Sequence, residues 1–307
     1  MTEDRPVAPE ALARGPVAVV GCGAIGGYFA FALKQAGQQV VLCTRRPFDR
    51  LRVETEGEVH AVDAPVITDP GDCPTADWVV LATKGHQTAG AADWLAAACG
   101  QHTTGVLVLQ NGVEHVERVT PFVGGTPVVP AVVLCGAEVR EPGWILHHGF
   151  SSLIVPDSDL GPAVARLYGN GPATVSLSRS FELERWRKLV QNITAGPLTA
   201  ITGRRLEVMQ ETEVADLAAD LALEAAAVAQ ACGVAMTDEL ATGVVDGFRR
   251  VGPTMGTSML YDRLAGRQLE CEELTGAVVR LGERHGVPTP GNRAVLTLLR
   301  NLGPLPG

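Results

Sequence analysis

The sequence predicts a parallel-sheet α/β domain over residues 1–180 and an all-helical domain over 181–307. Three observations carry this. Short apolar runs recur in the first part: Val17–Val20, Val40–Thr44, Trp78–Thr83 and Gly105–Gln110. The third is apolar throughout rather than alternating, as a strand covered on both faces is. A Gly21-x-Gly23-x-x-Gly26 turn joins the first run to an Ala-rich segment ending near Gly37. From Phe181 onward, apolar residues recur at three and four spacing, and Ala and Leu dominate 214–231, the period of helices.

The glycine turn is a strand–turn–helix unit closed by a second strand, Val40–Thr44, which is the context that makes such a motif informative. In a Rossmann-type dinucleotide-binding unit, Gly21 permits the tight turn, Gly23 lets backbone approach a pyrophosphate, and Gly26 lets helix pack on strand. Ala24 and Ile25 open the helix, whose N-terminus faces the phosphates. The second strand ends without Asp or Glu and runs into Arg45 and Arg46. An acidic residue there would take ribose hydroxyls, whereas Arg accommodates a 2′-phosphate. The cofactor expectation is therefore NADP(H), although either arginine taken singly is equally a solvated loop residue.

Residues 52–68 alternate around Glu56-Gly57 and predict a hairpin. The Trp78 strand ends in Thr83-Lys84, with a helix to about Cys99. The Gly105 strand ends in Gln110-Asn111-Gly112. Ligands of open α/β sheets sit beyond the carboxyl ends of strands, which places Thr83, Lys84 and Asn111 toward cofactor or substrate; Asn-Gly is also a plain turn dipeptide. Val128–Leu134 reads as one more strand. Trp144–His148 and Leu153–Val155 read as antiparallel strands joined through Gly149–Ser152. His147 and His148 then point to opposite faces and make no metal site by themselves. A helix near 160–169 and a strand near 173–177 would finish the sheet. Helices are expected over 181–202, 207–232, 237–250, 256–265 and 268–285, and Met1–Arg14 reads as a loose extension.

Composition narrows the partners. A net charge of −9 and the lack of a Lys/Arg block argue against nonspecific nucleic-acid binding. Seven cysteines stand singly, without a C-x-x-C pair, and read as reduced thiols in a cytoplasmic protein rather than a disulfide framework or a zinc site. No run approaches a membrane span. No metal is expected, because no His/Asp/Glu cluster stands at ligand spacing.

The helix expected at 181–202 carries Lys188 and Asn192, four apart and so on one face. Ser258 and Asp262 repeat the spacing, and Gly266-Arg267-x-x-Glu270 follows. Each also has a structural reading, as a solvated charge, a helix cap or a surface pair. Taken in order, five stretches resemble the ketopantoate (2-dehydropantoate) reductase family: Gly21–Gly27, Thr83-Lys84 with Gln87, Gln110–Val113, Trp186–Asn192 with Pro197–Ala200, and Thr257–Asp262 with Ala265–Glu270. The resemblance runs from Val17 to about Leu299. It implies a helical second domain of the 6-phosphogluconate dehydrogenase C-terminal-like type, and NADPH-dependent reduction of a 2-oxo acid, most simply ketopantoate. Lys188 would be the general acid. Glu270 would bind the distal hydroxyl and help position Lys188. Asn111, Asn192 and Ser258 would hold substrate polar groups, and Lys84 would lie near the cofactor. Asp262 would support the helix–turn geometry. The resemblance leaves a homodimer open.

Of three departures, the first two bear on substrate. Gly196 and Met255 stand where the family often has Asn, and Thr275 where it has Asn before Gly276. Lost amide donors shift specificity. Two alternatives therefore stay open: another 2-oxo acid or carbonyl substrate, and an NADP(H)-sensing protein without turnover.

Overall fold

The computed structural model describes residues 15–248 and 253–303. By internal contacts it divides into two compact units: residues 1–83, 89–109 and 119–177, and residues 84–88, 110–118 and 178–307. The short loops after the Trp78 and Gly105 strands thus pack with the helical unit, where the sequence places them in the first domain.

The first unit opens with β1 (Val17–Val20), α1 (Ala24–Gln35) and β2 (Val40–Cys43). Then come β3 (Leu51–Thr55), β4 (Glu58–Val62), β5 (Val66–Ile67), β6 (Trp78–Leu81), α2 (Ala92–Ala98) and β7 (Gly105–Val108). After α3 (His115–Val119), the unit continues with β8 (Val128–Pro130), β9 (Val132–Glu141), β10 (Trp144–Pro156), α4 (Gly161–Tyr168) and β11 (Thr174–Ser178). Six strands form a parallel sheet in the order β5-β2-β1-β6-β7-β8, the doubly wound order with β1 at the reversal. Strands β1, β2, β6 and β7 are buried at every residue, which explains their unbroken apolar runs.

A second sheet, β11-β10-β3-β4 with β9 on β10, packs on the other side of α1. That helix is buried from Gly26 through Leu33, as a helix covered on more than one side must be. Gly27 makes this possible, since a Cβ there would lie 2.7 Å from Ile145 Cγ1 of β10.

Three sequence expectations are corrected in this unit. Val128–Leu134 is two strands, β8 in the parallel sheet and β9 in the second. Pro130 ends β8, because it offers no N–H to continue a ladder and is tolerated only at such an edge. The stretch 149–152 is not a turn. Strand β10 runs through it with a bulge, His147 pairing Ala137 and Ser151 pairing Cys135, and Gly149 at φ +87° takes up the extra residues. The reversal lies at Pro142-Gly143, with Gly143 at φ +77°. Strand β11 joins β10 rather than finishing the parallel sheet. The Glu56-Gly57 hairpin forms as expected. His147 is buried, stacks on Tyr28 at 4.0 Å and bonds Thr55 Oγ1 and the Phe150 carbonyl. His148 is exposed.

The helical unit comprises α5 (Phe181–Thr202), α6 (Thr212–Ala231), α7 (Asp238–Phe248), α8 (Ser258–Leu264), α9 (Thr275–His285) and α10 (Pro290–Arg300). Helix α5 is its axis, packed by α6, α7, α8 and α10 and buried from Ile193 to Ala200. Ala218, Ala222, Ala225, Ala226 and Ala229 give α6 a small-residue face that is wholly buried. The segment expected as a helix from 207 begins as a 3₁₀ turn, Leu206–Gln210. Helix α9 starts at Thr275, not 268, because residues 271–274 form turns closed by Gly276 N donating to the Cys271 carbonyl. Helix α10 is unexpected, yet Pro290 at its first turn and the buried Val295, Leu296 and Leu299 at helical spacing mark it. Met1–Arg14 and the last two residues expected for α7, Arg249 and Arg250, lie outside the described residues.

Candidate active site

In the first unit the glycine turn has the geometry a dinucleotide needs. Gly21 sits at φ +99°, a region that favours glycine, and a Cβ there would come 2.8 Å from the Thr83 backbone nitrogen. A Cβ on Gly26 would lie 1.9 Å from the Gly21 carbonyl oxygen, so no side chain fits. Gly23 has open space around it and caps α1 without a side-chain hydrogen bond. The first turn, opening with Ala24 and Ile25, carries no acidic residue. The free N–H groups of that helix end therefore suit an anion, and a pyrophosphate fits. Arg45 and Arg46 follow β2, are exposed, and form no ion pair among the described residues. Replacing Gly26 with Ala is expected to push the turn off α1, lowering the thermal midpoint by several degrees and abolishing nucleotide binding, as a melting curve and a titration would record.

The second unit holds a charged cluster. Lys84 Nζ donates to Asp262 Oδ2 at 2.9 Å and Glu270 Oε2 at 3.0 Å. Both carboxylates are buried. Glu270 also accepts from the Gly85 backbone nitrogen at 3.0 Å and from Asn111 Nδ2 at 3.3 Å. The Asn111 side-chain oxygen, Oδ1, in turn accepts from Asn192 Nδ2 at 3.4 Å. Asp262 Oδ1 accepts from Arg267 Nε at 2.8 Å, so Asp262 braces its turn, as expected, and also holds Lys84, which the sequence did not suggest. Burial alone would lower the Lys84 pKa, but the charges and hydrogen bonds of Glu270 and Asp262 outweigh it and hold the ammonium above its ordinary range.

Lys188 stands in contrast. It is half-buried, hydrogen-bonds Gln191 Oε1 at 3.3 Å, and forms no ion pair among the described residues. Burial pulls its pKa below the ordinary lysine value. Glu270 is engaged with Lys84, Gly85 and Asn111 rather than hydrogen-bonded to Lys188. Ser258 is exposed at the start of α8; the cap is Thr257, whose hydroxyl accepts from Leu260 N at 3.1 Å. Gly196 is buried, and a Cβ there would touch Met259 at ordinary contact distance, whereas Met255 is exposed.

Beneath the cluster lies a network that sequence reasoning missed. Gln110 Nε2 donates to Thr88 Oγ1 at 2.9 Å, and the Thr88 hydroxyl donates to the Gly85 carbonyl at 2.8 Å. His115 Nε2 lies 2.7 Å from the Gln110 carbonyl. Burial and the nearby Arg185 and Arg118 push the His115 pKa down to about 3, so the imidazole is neutral and donates that bond. These contacts tie the Lys84 and Asn111 loops together. The one local signal was two polar residues, Thr88 and Gln110, flanking those loops.

A doubly wound nucleotide-binding unit together with a helical unit is an architecture that nicotinamide-dependent oxidoreductases use. Residues 17–159 match the family described as Ketopantoate reductase PanE/ApbA, and residues 180–303 match its C-terminal family. A 2-dehydropantoate 2-reductase from Mycobacterium tuberculosis (strain ATCC 25618 / H37Rv) is 36% identical over 293 residues, covering 95% of this chain and 99% of that protein. One from Caulobacter vibrioides is 37% identical over 288 residues, covering 92% and 97%. The crystal structure of a PanE/ApbA family ketopantoate reductase from Ralstonia eutropha JMP134 superposes with a TM-score of 0.85 at 30% identity, covering 93% of this chain and 97% of that one. The chain belongs to the ketopantoate reductase family and is an oxidoreductase acting on CH–OH groups. Among the described residues no helix is long and apolar enough to cross a membrane.

Proposed function

We propose that this protein reduces the 2-oxo group of 2-dehydropantoate to the 2-hydroxy group of pantoate, using NADPH and Lys188 as general acid. The observation that carries this reading is the contrast between two lysines of one unit. Lys84 is neutralised by two buried carboxylates and held above its ordinary pKa; Lys188 has no ionic partner among the described residues and is pulled below it. A proton donor works best when its pKa lies closer to the operating pH, and the lowered pKa supports Lys188 over Lys84 for that role.

A bound nicotinamide dinucleotide supplies the hydride for the carbonyl carbon, and Gly21, Gly23, Ala24, Ile25, Gly26 and Thr83 would hold it. Lys188 Nζ donates a hydrogen bond to the substrate's carbonyl oxygen, stabilises the negative charge that develops there, and passes its proton to the alkoxide. The neutral amine then recovers a proton from water. Asn111, Asn192 and Ser258 bind substrate polar groups. The Glu270 carboxylate has about four acceptor sites, three already used, and the remaining one accepts from a distal hydroxyl. Lys84 also fixes Glu270.

The test is NADPH oxidation with 2-dehydropantoate against a panel of 2-oxo acids. Selective turnover of 2-dehydropantoate supports the reading. Preference for another acid would move the substrate assignment, and the departures at Gly196 and Met255 favour that second reading. Tight NADPH binding without turnover would leave a sensor. For the cofactor, Arg45→Ala with Arg46→Ala is expected to weaken NADPH about tenfold or more and NADH little, since only NADPH carries the 2′-phosphate that guanidinium grips. Equal losses in parallel titrations would remove that assignment.

A further inference from the structure

Two cysteines 30 residues apart in sequence meet in the first unit. Cys43 ends β2 and is buried; Cys73 follows the 3₁₀ turn Pro70–Asp72 and is partly exposed. Their sulfurs lie 3.6 Å apart. The turn is held by Asp69, which accepts from Gly71 N at 2.8 Å, and by Cys73 N donating to the Pro70 carbonyl at 3.1 Å. The pair also touches the nucleotide turn. Gly21 N donates to the Cys43 carbonyl at 2.9 Å, Cys22 Sγ contacts that same oxygen at 3.7 Å, and Arg45 and Arg46 lie just downstream.

The two thiols are unequal. The hydrogen bond from Cys43 lowers the pKa of the Cys73 thiol, while that contact and burial raise Cys43. The thiolate therefore forms first on the partly exposed sulfur, the one an oxidant can reach.

We propose that Cys43 and Cys73 form a reversible dithiol–disulfide switch on the nucleotide-binding turn, oxidised by peroxides. The Cys73 thiolate attacks the O–O bond of hydrogen peroxide, giving a sulfenic acid and, with one proton, water. The Cys43 sulfur then attacks the Cys73 sulfur; hydroxide leaves, takes the Cys43 proton, and departs as a second water. Two thiols lose two electrons and the peroxide gains two. A dithiol such as dithiothreitol reverses the step by exchange. Bond formation draws the sulfurs from 3.6 Å to about 2 Å. Because the Cys43 carbonyl anchors Gly21, that movement passes to the turn and to Arg45 and Arg46. The nucleotide readout rests on the NADP(H) reading above; the thiol chemistry does not.

The experiment treats the reduced full-length protein with hydrogen peroxide, maps peptides without reductant, and titrates NADPH. The expected result is a Cys43–Cys73 crosslink and an NADPH dissociation constant raised about tenfold, both reversed by dithiothreitol. Cys73→Ser is expected to abolish both changes while keeping the reduced protein's affinity. Over-oxidation of Cys73 without a crosslink, or a different cysteine pair, overturns the proposal. A crosslink that leaves NADPH affinity unchanged overturns the switch. Failure of the reduced protein to bind NADPH defeats the cofactor reading and with it the switch, and the peptide map still decides the dithiol site.

Discussion

Lys188→Ala is expected to lower kcat by about 10²–10⁴-fold, the range a positioned general acid supplies, while NADPH affinity stays nearly unchanged. Among the described residues the half-buried side chain hydrogen-bonds only Gln191, so its removal strips no ion-pair network there and the thermal midpoint should barely move. Lys188→Arg separates two roles of the ammonium. Guanidinium keeps the charge that stabilises an alkoxide but does not release a proton near neutral pH, so a loss as deep as alanine's would mark proton transfer as the step removed. The pH profile adds an independent check. The acid must be protonated to act, so kcat/KM should fall as pH rises through the Lys188 pKa. Burial lowers that pKa, and the alkaline limb should therefore begin below the ordinary lysine value of 10.5. Retained turnover in the alanine variant would remove Lys188 from the chemistry, whereas retained turnover in the arginine variant alone would leave it charge stabilisation without proton transfer.

Local physics made much of this legible in sequence. Gly21 and Gly26 are required by a positive φ and by a 1.9 Å approach, constraints that a short motif encodes. Helix α5 has the predicted bounds, Phe181–Thr202, because its period is unbroken and Gly203 ends it at φ +70°. What escaped depends on distant partners. Strand β3 pairs β10 about 90 residues on, so a second sheet was invisible to patterns read locally, and Gly149 looked like a turn instead of a bulge. The same limit applies to the site. Lys84 reaches Asp262 and Glu270 across 178 and 186 positions, whereas the four-residue spacing of Lys188 and Asn192 could be read at once.

Glu270→Ala is the second large effect, felt in stability and in activity together. The carboxylate is 4% exposed and serves an ammonium, a backbone N–H and an amide. Deleting it leaves the Gly85 N–H and the Asn111 amide without that acceptor, and Lys84 with Asp262 alone. Removing one partner of a buried pair costs about 3–5 kcal/mol, but the Lys84 side chain is 37% exposed, and solvent screening brings the expectation to about 2 kcal/mol. A fall of several degrees in the thermal midpoint would record it. The raised pKa of Lys84 fixes the pH window. A lysine whose folded pKa exceeds its unfolded value stabilises fully below the unfolded value and loses that contribution only as pH rises through the folded one. The deficit of the variant should therefore be constant across neutral pH and shrink only in strong alkali. Glu270→Gln tests the catalytic share. It keeps the shape and an acceptor for Gly85 N while losing the charge, so the thermal midpoint should recover in part. If Glu270 also holds substrate, KM stays raised in this better-folded variant. Recovery of KM together with stability would reduce Glu270 to a support for Lys84.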